Sequence, residues 1–276
     1  MSYPIYPCLW FNNDAKQATE FYCSIFNKAT ITTSNPMVTT FSIEGLKIMG
    51  LNGGPMYKTT QAVSMYVYAG NEKEVTRIFN LLSENGKVLM PLDTYEWSPK
   101  YAWIEDKFGN SWQLDAQDIE GEQKIIPCLL FANKKKTFVK KAITHYTSIF
   151  KASTIRFEAP YPAESGLEIG ALLFAQYQLN GTIFQAMSST LSHDFDFTPG
   201  NSFVIDCDTQ EEIDYYWEKL GKNGHYNQCG WLTDEFGVSW QIVPTCLPRL
   251  MAEKGQRVVD AFMKMKKFEI KGLEEA

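Results

Sequence analysis

Histidine is the side chain best suited to moving protons or holding transition metals near neutral pH. It occurs three times in this chain of 276 residues, as His145, His193 and His225. None pairs with a cysteine in any register the sequence supports, so a Cys/His nucleophile is not expected. The six cysteines (Cys8, Cys23, Cys128, Cys207, Cys229 and Cys246) never form C-x-x-C and mostly have apolar neighbours. In a chain of this size that reads as reduced, buried thiols. There is no G-x-G-x-x-G or Walker-type loop to cradle phosphates and no G-x-S-x-G elbow. The glycines of Asn52-Gly53-Gly54-Pro55 read as a strand end and turn. The basic cluster Lys134, Lys135, Lys136, Lys140 and Lys141 suits a solvated helix entry and is too small for a nucleic-acid surface. What remains is neutral hydrogen-bonding chemistry. Gln113 and Gln241, each closing a Ser-Trp-Gln triplet, are its most pointed carriers, although a structural role for either amide is equally compatible.

The elements that position such groups come from a chain with a formal charge of −6, 45% hydrophobic and 21% charged residues. That composition builds a packed core rather than a disordered chain, and the length suggests about two domains. No apolar run approaches the ~18 residues of a membrane span. Met1–Phe11 has no basic n-region, so it does not read as a signal peptide, and a cytoplasmic protein is expected.

An internal repeat organises the chain. Ile5–Phe11 (IYPCLWF) and Ile125–Phe131 (IIPCLLF) share five of seven residues. Phe21–Phe26 (FYCSIF) and His145–Phe150 (HYTSIF) share four of six. Tyr101–Leu114 (YAWIEDKFGNSWQL) and Cys229–Ile242 (CGWLTDEFGVSWQI) share seven of fourteen. The blocks keep their order while the offset drifts, as loop insertions in one copy produce. The expected domains are residues 2–117 and 124–244, joined by the polar stretch Gln117–Gln123, with 245–276 a helical tail.

Each repeat has the same rhythm. Ile5–Phe11 alternates as a strand, and Asp14 with Gln17 resembles a capping box. Ala18, Phe21, Tyr22, Ile25 and Phe26 then recur at helical spacing. Val38–Ile43 and Lys47–Leu51 suggest a hairpin around Glu44-Gly45, and Val63–Tyr68 a further strand. Asn71 caps a second helix with Val75, Ile78, Phe79 and Leu82 on its buried face, and a last strand follows Phe108-Gly109. In the second repeat the later helix opens with Thr209 and Glu212 as a capping box. Val258, Ala261, Phe262 and Met265 predict a docked helix in the tail.

The opening PCLWF, the FY-x-SIF helix end, the LNGG strand end and the W-x-x-D-x-FG-x-SWQ close are similar to the PhnB-like branch of the glyoxalase/bleomycin-resistance superfamily, also called vicinal oxygen chelate. This branch is often described as 3-demethylubiquinone-9 3-methyltransferase. The resemblance spans nearly the whole chain as two tandem domains. It implies an α+β fold of paired βαβββ modules curled around clefts. Because single-domain relatives form homodimers, it also implies an intrachain pseudo-dimer, with a further homodimer left open.

Metal-dependent members of that superfamily hold a divalent ion on His, Gln and Glu side chains. By resemblance the first-strand ligand falls at Tyr6 and Ile126, the ligand opening the second module at Ser64 and Ser202, and the last-strand ligand at Gln113 and Gln241. Lys47–Gly54 and Thr182–Thr190 contain no Asp, Glu or His for the remaining position. Amides and hydroxyls alone do not hold a first-row divalent ion, so no metal and no other cofactor is expected. His145 replaces Phe21 and reads as a satisfied or exposed helix histidine. A methyl-donor site would want a glycine-rich turn after the first strand, where Asn12-Asn13-Asp14 stands.

Alternation puts Tyr6, Cys8 and Trp10 on one strand face, and the resemblance turns that face toward the cleft, together with Ser111, Gln113 and Asp115. Trp112 and Trp240 read as core, whereas Trp97 and Trp103 could line a cleft mouth. The repeats differ in loops: Gly86 to Trp103 is long, Gly224 to Trp231 is short, and Phe157–Ile169 lengthens the second copy. A ligand is expected to prefer a Tyr6–Gln113 cleft, with Ser202 and Gln241 in a more aliphatic second one. The leading function is metal-free binding of a small metabolite or drug, with neither nucleic acid nor membrane as partner. The alternatives are a divalent-metal isomerase, lyase or dioxygenase, a methyltransferase, or a scaffold whose clefts its own side chains fill.

Overall fold

The computed structural model describes residues 3–121 and 123–276; Ser2, at the expected start of the first repeat, and Glu122 in the linker lie outside them. Four βαβββ modules follow one another. The first is β1 (Tyr6–Phe11), α1 (Ala15–Ile25), β2 (Ala29–Ser34), β3 (Val38–Ile43) and β4 (Leu46–Asn52). The second is β5 (Val63–Tyr68), α2 (Glu72–Leu82), β6 (Lys87–Tyr95), β7 (Ser98–Glu105) and β8 (Ser111–Asp115). The third is β9 (Ile125–Phe131), α3 (Val139–Ile149), β10 (Ser153–Pro160), β11 (Leu172–Leu179) and β12 (Thr182–Ser188). The fourth is β13 (Asn201–Cys207), α4 (Gln210–Gly221), β14 (His225–Tyr226), β15 (Trp231–Thr233) and β16 (Ser239–Pro244). The tail is helical, as α5 (Leu247–Lys254), α6 (Gln256–Phe262) and α7 (Ile270–Glu274).

Local chemistry accounts for most boundaries. Asn71 accepts a hydrogen bond from the Glu74 N–H, and Glu72 and Glu74 favour the positive end of α2. Thr209 accepts from the Glu212 N–H, and the Glu212 carboxylate accepts from the Asp208 N–H. Glu44 and Gly45 both take positive φ (44° and 82°), which a tight two-residue hairpin requires. Asp14 departs from expectation: it stands at the N-cap of α1 but makes no capping bond. Asn52, at the end of β4, accepts from the Ala15 N–H instead, so the orphan donor is met from a neighbouring strand.

The strands form two eight-stranded sheets. The first runs β14-β15-β16-β13-β1-β4-β3-β2 and the second β10-β11-β12-β9-β5-β8-β7-β6. Each sheet therefore joins one module from each repeat. β1 pairs antiparallel with β13 (Tyr6 opposite Val204, Cys8 opposite Ser202), and β5 pairs antiparallel with β9 (Ser64 opposite Cys128). The short polar linker delivers β9 to the open edge of β5, within the same sheet as β8. Two matching backbone bonds, Trp10 N–H to Gly200 O and Leu130 N–H to Ala62 O, mark the pseudo-twofold relation. Near that axis the connections between modules meet: Thr60 N–H donates to Asn201 Oδ1 at 2.8 Å, and the Thr198 hydroxyl to Lys58 O at 2.7 Å.

The cores follow the repeats instead. One contains Leu9, Phe11, Ala18, Tyr22, Met65, Val75, Ile78, Trp112 and Leu114, so α1 and α2 meet between the backs of β1 and β5. The other gathers the helices and backs of the third and fourth modules around Tyr146, Phe203 and Trp240, with Leu250, Val258, Phe268 and Leu273 from the tail. The repeated D-x-F-G-x-S-W signature ties each core together. Asp106 accepts from the Tyr22 hydroxyl (2.7 Å), Trp112 Nε1 (2.8 Å) and the Phe108 and Asn110 N–H groups. Asp234 does the same with Tyr146, Trp240, Phe236 and Val238. Gly109 and Gly237 have φ of +84° and +92° and let the chain turn over the carboxylate. His145 lies against Phe236, ring centroids 5.6 Å apart, and burial holds its pKa below the ordinary value.

Candidate functional site

Because the sheets draw on both repeats, the concave faces do too. This corrects the expected Tyr6–Gln113 cleft: Tyr6 belongs to the first sheet and Gln113 to the second. Tyr6, Cys8 and Trp10 share the first cleft with Ser202 and Gln241, while Ser64 and Gln113 share the second with Cys128.

The first cleft has a buried floor of Tyr6, Cys8 and Val204, with Met49, Leu51 and Val243 packed half-buried against it. Gln241 Nε2 donates to Ser202 Oγ at 2.9 Å. Burial pushes the Cys8 thiol up to about 12, partly offset by hydrogen bonds from Gln241 and Ser202, so it stays protonated at neutral pH. At one end the Tyr6 hydroxyl donates to Asp206 at 3.0 Å, and Lys47 Nζ lies 3.5 Å from Asp206 Oδ2 and 3.6 Å from the Tyr6 ring centroid. Burial first, then the Asp206 charge, holds the Tyr6 phenol well above its ordinary pKa. At the other end Trp10 donates to Gly54 O at 2.7 Å and meets Tyr57 and Trp231 edge-on, at 5.0 and 5.9 Å. The glycine pair is explained here: a Cβ on Gly53 would fall 2.0 Å from the Trp10 ring. Trp10 and Tyr57 also line a surface hollow of about 610 Å³ that lies outside this cleft, its other walls coming from residues 85–87 and 105–109 of the second module.

The second cleft is occupied by its own side chains. Tyr66 and Tyr101 are 4% and 3% exposed. The Tyr101 hydroxyl donates to Gln113 Oε1 at 2.6 Å, and Gln113 Nε2 donates to Ser64 Oγ at 2.7 Å. Tyr66 and Ser98 both donate to Asp115, Gln185 Nε2 donates to the Tyr68 oxygen, and Trp103 Nε1 to Ser111 Oγ. Above them the long β6–β7 hairpin stacks Tyr95 on Trp97, which is half exposed. Ile126, opposite Tyr66 in register, is fully buried, and burial pushes the Cys128 thiol up to about 12.

Neither donor set fits a divalent cation. Each cleft centres on a protonated thiol, a hydroxyl and an amide, with Met49 or Gln185 as the next neighbour in register. Among the described residues no group of three His, Cys, Asp or Glu side chains converges. A divalent ion needs about three carboxylate, imidazole or thiolate ligands, whereas each cleft offers a single carboxylate, Asp206 or Asp115, already held by its own hydroxyl donors.

Met49, Val204, Ser239 and Trp231 were missed from sequence as cleft residues. The repeat alignment carried a usable signal, because Trp231 and Ser239 match Trp103 and Ser111, but the alignment does not say which repeat completes which cleft.

The family model described as 3-demethylubiquinone-9 3-methyltransferase matches this chain twice, over residues 4–115 and 123–243. Among solved structures, the PhnB protein from Bacillus cereus is 31% identical over 40% of this chain and 96% of its own, with a TM-score of 0.38. Glyoxalase I from Zea mays is 10% identical, covers 92% of this chain and 97% of its own, and has a TM-score of 0.58, a likeness of fold. No curated protein matches the chain significantly.

Proposed function

The chain belongs to the 3-demethylubiquinone-9 3-methyltransferase family, the PhnB-like branch of the glyoxalase superfamily, and from that premise we propose that it binds a small organic molecule in the first cleft without a metal ion. The observation that carries this reading is the contrast between clefts. Tyr66 and Tyr101 fill the second, whereas the matching positions in the first are the smaller Val204 and Cys229, where Tyr6 and Cys8 close only the floor and the rim stays half-buried. Half-buried Trp10, Trp231, Met49, Leu51 and Val243 surround a few amide and hydroxyl groups, a lining suited to a flat, weakly polar ligand. The methyl transfer named in the family description finds no support in the Asn12-Asn13-Asp14 turn after β1. Among the described residues no helix is long and apolar enough to cross a membrane, and a cytoplasmic pseudo-dimer is the setting we favour.

Two measurements test this. A thermal-shift screen of small aromatic compounds should yield stabilising hits that Trp231→Ala, at the half-buried rim, weakens. Elemental analysis after dialysis should find no stoichiometric transition metal. One Zn, Ni, Fe or Mn per cleft would overturn the metal-free part of the reading.

A further inference from the structure

Around the D-x-F-G turns the two repeats carry opposite charges at matching positions. The paired bonds Trp10 N–H to Gly200 O and Leu130 N–H to Ala62 O set Ala62 against Gly200, and so Lys58 against Asp196. The turns themselves set Lys107 against Glu235 and Gly109 against Gly237. Asn85 and Asn223, both of positive φ, set Lys87 against His225.

In the second repeat both carboxylates are met from within the chain. The turn Asn133–Lys135, which the first repeat lacks before its helix, brings Lys135 Nζ to 2.7 Å from Asp196, and Lys141 of α3 lies 2.5 Å from Glu235. Lys135 fills the space over its turn, because a Cβ on Gly237 would fall 2.5 Å from its Nζ.

In the first repeat the signs are reversed and the internal partners are missing. Lys58, Lys87 and Lys107 line the hollow of about 610 Å³ beside Trp10 and Tyr57. All three are exposed, and among the described residues none pairs with a carboxylate. Lys107 Nζ rests 3.9 Å from the centroid of the Phe21 ring instead. Over Gly109 an added Cβ would meet Thr59 Oγ1 alone, at 3.4 Å, so the space that Lys135 fills in the other repeat stays open here. The acids of the hollow are engaged elsewhere. Glu105 accepts from Gln61, Asp106 is buried among its four donors, and Asp14 stands before the positive end of α1. Three like charges around one hollow repel, and an anion seated among them relieves that repulsion.

From this we infer that the hollow is a binding site separate from the first cleft, for a small aromatic molecule carrying a dianionic group. Lys58, Lys87 and Lys107 meet the dianion, as Lys135 and Lys141 meet carboxylates in the other repeat. Exposed ion pairs alone hold little, and the wall formed by Tyr57 and Trp10, ring centroids 5.0 Å apart, supplies the apolar contact for the ring.

Calorimetric titration of the full chain with 2-naphthyl phosphate and with naphthalene-2,6-dicarboxylate tests the site and tells a phosphate from paired carboxylates. At least one dianion should bind, and should weaken as salt is raised. Lys58→Asp and Lys107→Glu, which install the second repeat's residues at exposed positions, should each weaken it roughly 3- to 10-fold. Neither should alter the affinity of 2-naphthol, which has the rings without the charge. Met49→Ala, in the first cleft, should leave the dianion's affinity unchanged. Failure of both dianions to bind overturns the proposal, as does binding that both charge reversals leave untouched. Weakening by Met49→Ala alone would place the ligand in the first cleft, overturning this site while leaving that reading in place.

Discussion

The Tyr6 hydroxyl donates to Asp206 at 3.0 Å across 200 residues of sequence, from the first strand of one repeat to the second module of the other. Lys47, 3.5 Å from the same carboxylate, completes a small bridge over the seam between repeats. Asp206→Ala should cost about 1 kcal/mol, lowering the melting temperature by roughly 2–4 °C. A differential scanning measurement that finds no change would mean that water replaces the carboxylate at no cost.

Asp234 gives a pH dependence of defined sign. Burial raises its carboxyl to about 6 from an ordinary 3.8, against four hydrogen bonds that pull the other way. The folded protein then holds this proton more tightly than the unfolded chain does. The associated stability is complete below about pH 4 and is lost as the pH climbs through 6. The loss is on the order of 2–3 kcal/mol. Asp106 shifts in the same direction for the same reason. Urea titrations at pH 4.5 and 7 should show the slope, and Asp234→Asn should flatten it while lowering stability at both, because an amide leaves two of four donors unmet.

Gln113 and Gln241 should behave differently. Gln113 is bonded at both ends, to Tyr101 and Ser64, so Gln113→Ala should destabilise the fold by roughly 1–3 kcal/mol. Gln241 is bonded at one end, so Gln241→Ala should cost about half that and act chiefly on ligand affinity. Equal losses of stability from the two would make them paired structural glutamines.

Gly53→Ala should displace Trp10, because the added methyl would fall on its ring. Overpacking of this kind costs about 1–3 kcal/mol. The Trp10–Trp231 edge contact should break with it, read as a change in tryptophan near-ultraviolet dichroism.

Much of this was legible in the residues. The repeat, the strand faces and the helix faces rest on alternation and helical spacing, which the cores confirm at Leu9, Phe11, Trp112 and Leu114. The Asn71 and Thr209 caps lie within their own turns and were readable there. The seam was not, because β1 and β5 each present an open edge with the same alternating pattern, and either could accept the other or a strand from the second repeat. Only the linker geometry decides between them. The Asp14 cap failed likewise, since its rival, Asn52, is distant in sequence and near in space.

The crossed sheets also bear on how the protein withstands proteases. The exposed stretch around Asp118 joins strands β8 and β9 of one sheet, so a nick there severs no connection between sheets. The two fragments would remain married along two antiparallel seams, β1 with β13 and β5 with β9, and behave as a heterodimer with both clefts intact. A gel under denaturing conditions would show two bands where gel filtration still shows one species.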